Sequence, residues 1–182
     1  MIPLLVLLFV AGDQAVAQIA PPMKVSGGTH PGASAVSPST VTPLERRFND
    51  RLSSLFDKND PLDLLGNTRG VYLDGFGAVF TTDLSLVITP APTPFRGPIT
   101  KDMANSIRQK KIQRLPFLKA AMKEMMQNMA RTFVQVPDDQ QMVLVVRFYY
   151  EPWEDMNGMP SQLLMRASRR DALSGEVQVM EQ

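Results

Sequence analysis

From about Thr100 to Val134, apolar side chains recur at the three-and-four spacing of an α-helix. Met103, Ile107, Leu115, Leu118, Met122, Met125, Met129 and Phe133 share one stripe. A stripe of this kind holds a helix in place only when it is laid against another apolar surface, so the rest of the chain must supply one. Pro116 interrupts the pattern. Its missing backbone donor and its clash with the preceding turn predict a kink, or two helices with Pro116 opening the second.

The matching surface reads as a β-sheet. Gly70 to Phe80 and Leu84 to Thr89 are rich in Val, Tyr, Phe and Ile. Asp74-Gly75 is either a two-residue hairpin turn or part of a longer strand with a bulge. A Pro-rich connection, Pro90 to Pro98, leads into the long helix. Beyond it, Met142, Leu144, Val146, Phe148 and Tyr150 alternate with Val143, Val145, Arg147, Tyr149 and Glu151, the pattern of a central strand with one fully apolar face. A loop from Pro152 to Pro160 carries Trp153 and Gly158, and Gln162 to Ala167 reads as the returning strand. A short helix at Arg169 to Leu173 closes the fold, and the last residues are expected to fray.

Ahead of the sheet, Thr42-Pro43-Leu44-Glu45 combines an N-cap, a proline at the first helical position and a glutamate three residues after the cap. Leu44, Phe48, Leu52 and Leu55 follow at helical spacing, and Asp57-Lys58-Asn59-Asp60-Pro61 stops the helix. The expected fold class is α+β, a two-layer sandwich with an antiparallel sheet of about four strands covered by the long helix, in the order α-ββ-α-ββ. With 44% apolar residues in 182, one core and one domain, 42–182, are expected.

The remaining N-terminal residues read as an address. Ile2 to Ala11 is almost purely apolar and Ala15-Val16-Ala17 follows, the pattern of a signal peptide, 1–17, cut after Ala17. Its n-region carries no Lys or Arg and relies on the terminal amine for positive charge. The apolar run is well short of the roughly 20 residues that span a bilayer, so no stable membrane span is expected after cleavage. Residues 18–41, rich in Pro, Gly, Ser and Ala, bury too little to offset their ordering entropy and read as a disordered tether. The mature protein is therefore expected to be extracytoplasmic, periplasmic or secreted.

Few chemistries survive inspection. The chain has no cysteine, which excludes a lipid-modified Cys, disulfides, thiolate metal sites and a Cys nucleophile. The sole histidine, His30, lies in the tether, which removes a Ser-His-Asp arrangement. Nineteen basic residues against eighteen acidic ones make no global field, so nucleic acid is not an expected partner. Asp57, Asn59 and Asp63 have calcium-type oxygens, but an EF-hand loop would need Gly and Glu where Leu62 and Thr68 stand. Gly75-x-Gly77 lacks the third glycine and the helix of a nucleotide loop, Phe80 taking the glycine's place, and is read as a backbone device. No nucleophile elbow, Ser-x-x-Lys, His-Glu-x-x-His or Walker loop occurs.

Three clusters remain. Lys101, Arg108, Lys110, Lys111 and Arg114 outweigh Asp102 on the first half of the long helix, a basic face that suits an anionic partner or simply solvent. Met122, Met125, Met126 and Met129 place soft thioether sulfurs within reach of one Cu(I), although the same spacing continues into Leu115, Leu118 and Phe133 as a buried face would. Glu151, Glu154 and Asp155 gather at the Trp153 loop, where paired carboxylates could serve as acid and base.

The order Gly70-Val-Tyr-Leu-Asp-Gly-Phe-Gly-Ala-Val-Phe80, then Arg114-Leu-Pro116, then Phe148-Tyr-Tyr150 before Trp153-Glu-Asp155, resembles a group of uncharacterised secreted bacterial proteins from about Gly70 onward. The resemblance implies bacterial export and carries no activity, cofactor or catalytic position. The leading expectation is thus a non-enzymatic exported envelope protein that binds another envelope protein or an anionic surface component. Its expected contact surfaces are the basic half-helix and the Trp153 loop. The rivals are a periplasmic Cu(I)-binding protein, which needs the Met122 to Met129 sulfurs facing solvent, and a carboxylate-dependent hydrolase, which needs a cleft at Glu151 and Glu154.

Overall fold

A computed structural model describes residues 36–89 and 98–182. The expected signal peptide, 1–17, residues 18–35 of the expected tether with His30, and residues 90–97 of the Pro-rich connection lie outside the described residues. The first helix, α1, runs Pro38–Ser53 and is capped by Ser37, whose hydroxyl accepts from the Ser39 N–H. It starts ahead of the expected Thr42 box because Ser37-Pro38 is itself a cap followed by proline. Pro43 is absorbed within the helix, where the Ser39 carbonyl that loses its donor lies on the exposed side. The expected tether, 18–41, is corrected at its end only, since 38–41 belongs to α1 and Val36 and Val41 pack against the core. Leu44, Phe48 and Leu52 form the buried stripe of α1.

Strands β1 (Asp63–Leu64) and β2 (Arg69–Leu73) both pair antiparallel with β3 (Gly77–Ser85), end to end along its edge. Residues 74–76 make the β2–β3 turn, closed by the Phe76 N–H donating to the Leu73 carbonyl at 3.0 Å. Gly75 sits at φ 75° and Gly77 at φ 129°, conformations that L side chains resist. A Cβ on Gly77 would also collide with the Gln141 backbone, whose N–H donates to the Phe76 carbonyl at 2.7 Å.

Helix α2 (Lys101–Thr132) is capped by Thr100, whose hydroxyl accepts from the Met103 N–H, and stays helical through Pro116 without a break. The carbonyl that Pro116 leaves without a donor belongs to Ile112, on the exposed side of the helix, where water can serve it. After α2 come β4 (Gln141–Phe148), β5 (Gln162–Ser168), α3 (Arg169–Ser174) and β6 (Gln178–Glu181).

Among the described residues the fold is α+β, with three helices and a six-stranded sheet in the order β1-β3-β4-β5-β6, β2 also on β3. The element order is α-βββ-α-ββ-α-β, not α-ββ-α-ββ. The sheet is mixed, not antiparallel, because α2 carries the chain back to the end where β3 began and β4 must then run parallel to it. The C-terminal residues pair with β5 as an added strand and do not fray. Ala78, Phe80, Leu84, Met142, Leu144, Val146, Leu163 and Met165 bury one sheet face in a single core with α1 and α2. The Phe48 and Phe80 rings meet edge-on at 5.0 Å, and Phe80 lies 6.3 Å from Phe133 of the α2 C-cap.

Two glycine substitutions separate turn strain from steric exclusion. Gly75→Ala, with open space around it, is expected to cost about 1 kcal/mol for its left-handed backbone. Gly77→Ala meets strain and the Gln141 backbone together and is expected to cost about 3 kcal/mol or more, both read from urea midpoints.

Candidate functional site

In the basic half of α2, Lys101 is exposed, but Lys111 and Arg114 are buried and do not belong to a solvated face. Lys111 is 1% exposed, and its ammonium lies 2.7 Å from both carboxylate oxygens of Glu154, whose side chain is 4% exposed. The same ammonium donates to the Tyr149 carbonyl at 3.5 Å and sits 4.7 Å from the centre of the Tyr150 ring. One turn on, Arg114 donates to the carbonyls of Leu86 and Asp60, each at 2.6 Å, and of Pro61 at 3.3 Å, and pairs with the Asp60 carboxylate at 2.6 Å. Its guanidinium stacks over Phe56 at 4.3 Å. Lys110 reaches the same Asp60 carboxylate, and Arg108 donates to the Asn157 carbonyl at 2.6 Å.

The two surfaces expected to meet outside partners are therefore partners of each other, the basic half-helix closing on the Trp153 loop and on the 57–62 segment. A sequence signal for this exists. Lys111 falls four residues after Ile107 and four before Leu115, and Arg114 four before Leu118, so both occupy gaps in the apolar stripe. A cation in a buried stripe position needs a carboxylate, and Glu154 and Asp60 supply it.

These pairings set the local electrostatics. The Lys110 hydrogen bond, with the Arg114 charge, holds the Asp60 carboxyl below its ordinary value against an opposing cost of desolvation. Burial, then the negative charge of Glu154, pushes the Tyr150 phenol up to about 12, while its hydroxyl donates to the Pro160 carbonyl at 2.7 Å. Glu154 also accepts from the Glu151 N–H at 3.0 Å. With both oxygens engaged and the side chain sealed, it is the counterion of Lys111 and not one half of an acid-base pair, which corrects the carboxylate hydrolase reading.

The Met cluster is corrected as well. Met122, Met125, Met126 and Met129 are all 0–1% exposed and belong to the core, so their sulfurs do not face solvent as copper binding required. Asp57 accepts from the Asn59 N–H at 2.8 Å, a turn at the exit of α1.

Among the described residues, no helix packs over the opposite face of the sheet. Strand register places Arg69, Thr81, Val145, Leu164 and Met180 in one row across it, and Val71, Val79, Val143, Arg166 and Gln178 in the next. Val143 is buried by its neighbours, Val79, Val145 and Leu164 are half-buried, and Val71 and Met180 are exposed. The rows beyond this band are mixed, exposed Leu73 with Gln141 and Ser168 on one side, exposed Leu65 with Asp83, Arg147 and Gln162 on the other. Arg147 and Asp83 form a two-pronged pair at 2.6 and 2.7 Å. At one corner a cleft of about 830 Å³ is lined by Lys123, Arg166, Asp171 and Glu176, among others, so its cations and carboxylates balance. Among the described residues no helix is long and apolar enough to cross a membrane. No protein-family model, curated protein or solved structure matches the chain.

Removing one member of the buried pair strands the other. Glu154→Ala and Lys111→Ala are each expected to cost about 3–5 kcal/mol in chemical unfolding, and a Lys111→Met/Glu154→Leu double variant to recover most of that. Tyr150 gives a separate alkaline signature. Its folded value lies above the unfolded value of about 10, so its contribution is complete below about pH 10 and is lost as pH rises toward 12. Tyr150→Phe is expected to lower stability at neutral pH and to flatten the loss between pH 10 and 12, as thermal melts across that range would show.

Proposed function

We propose that the protein is a non-enzymatic exported envelope module that binds another protein through the outer face of its sheet. The observation that carries this reading is the band of Val71, Val79, Val143, Val145 and Leu164, extended by exposed Leu65 and Leu73 and interspersed with Arg69, Arg147 and Arg166, the composition of a protein interface. An anionic surface component is less favoured, because Lys111 and Arg114 are buried against Glu154 and Asp60 within the chain. Export is supported by the 1–17 pattern and by the resemblance to uncharacterised secreted bacterial proteins.

The test is affinity capture of the tagged mature protein from its native envelope, beside a Val71→Glu/Leu164→Glu variant verified to melt like the parent. A partner held by the parent and lost by the variant is the expected result. A partner that both proteins retain, or none at all, overturns the reading.

A further inference from the structure

We propose that the protein pairs with a second copy of itself along β6, the two strands running antiparallel about a two-fold axis at Met180. The contact is an edge of the sheet rather than its outer face, so it does not rest on the reading above. Strand β6 ends the sheet on one side and is exposed over all four of its residues. Gln162 and Gln182 exchange backbone hydrogen bonds at 3.1 and 3.2 Å. By alternation Gln178 and Met180 turn their backbone groups toward β5, and Val179 and Glu181 turn theirs outward. Among the described residues nothing bonds those outward groups.

Sheet edges are ordinarily shielded, and the opposite edge of this one is. There the Gly70 N–H of β2 donates to the Glu45 carboxylate at 2.7 Å, and β1 is only two residues long. Strand β6 has no proline, no bulge and no covering side chain, and its one charge, Glu181, is engaged by Lys119 at 2.6 Å. Self-complementarity selects a second copy. With the axis at Met180, Val179 of one chain faces the partner's Glu181, so the outward N–H and C=O groups of both strands are all used. Gln178 faces the partner's Gln182, and no charge stands opposite its like. On the outer side Met180 meets the partner's Met180, which joins Val145, Leu164 and Met180 of each chain into one apolar row across the combined sheet. Strands this short bury little area, which makes the pairing weak and reversible.

Sedimentation of the mature protein between about 10 µM and 1 mM is expected to move toward the two-chain mass as concentration rises. Val179→Pro deletes an outward N–H and leaves the β5 ladder whole, so it is expected to keep the chain monomeric while melting like the parent. Met180→Asp and Met180→Lys each set like charges face to face across the axis. Each is expected to be monomeric alone and to associate when the two are mixed in equal amounts. A parent that stays monomeric over the whole range overturns the inference, as does failure of the mixed variants to associate. A dimer that survives Val179→Pro but is lost with Val71→Glu places the second copy on the sheet face and overturns it as well.

Discussion

The structure depends on a mismatch of lengths. Helix α2 has 32 residues and spans about 48 Å, whereas β4, with eight residues, spans about 26 Å. As the crossover between two parallel strands, α2 must run back along them, so only its second half has sheet beneath it. Met122, Met125, Met126 and Met129 lie there in the core. The first half overhangs the strand ends, with Met103 and Ile112 in solvent. What meets it at the overhang is loop backbone and loop carboxylates, and a polar surface is best met by cations.

That geometry accounts for the ion pairs. Arg114 gathers three carbonyls that end no ladder of their own, those of Asp60, Pro61 and Leu86, and Lys111 closes the Trp153 loop from above through Glu154. Buried pairs are poor sources of net stability, because desolvation offsets much of their attraction. Their value here is positional. An apolar contact at the overhang would let the loops slide along the helix, whereas a lysine that must find one carboxylate, and an arginine that must find three carbonyls, sets a single register. The packing of Phe56 under the Arg114 guanidinium and of Tyr150 beside the Lys111 ammonium adds apolar area to both anchors.

Much of the framework was legible. The alternation in Met142 to Phe148 and the stripe from Leu115 to Phe133 each have one strong local solution, and each is found, whereas Asp74-Gly75 allowed a hairpin turn or a bulge and the fold takes a turn, of three residues. The α1 start was misplaced because two Ser/Thr-Pro signals stand five residues apart and only packing of Val36 and Val41 favours the earlier one. The β6 strand was missed because Gln178 to Glu181 is exposed along its whole length and carries no alternation; its pairing with β5 is what makes it a strand. As for the site, Lys111, Arg114, Glu154 and Trp153 were singled out, but as outward-facing groups.

The sequence by itself determined the helices, most of the strands and a core without cysteine, because these follow from local periodicity and composition. Only the tertiary structure decided that β3 and β4 are parallel, that Lys111 and Arg114 of the basic half-helix are buried against Glu154 and Asp60, and that the described residues leave the outer sheet face uncovered. All three depend on which distant segments meet, and one-dimensional spacing records which residues share a face but not what that face will touch.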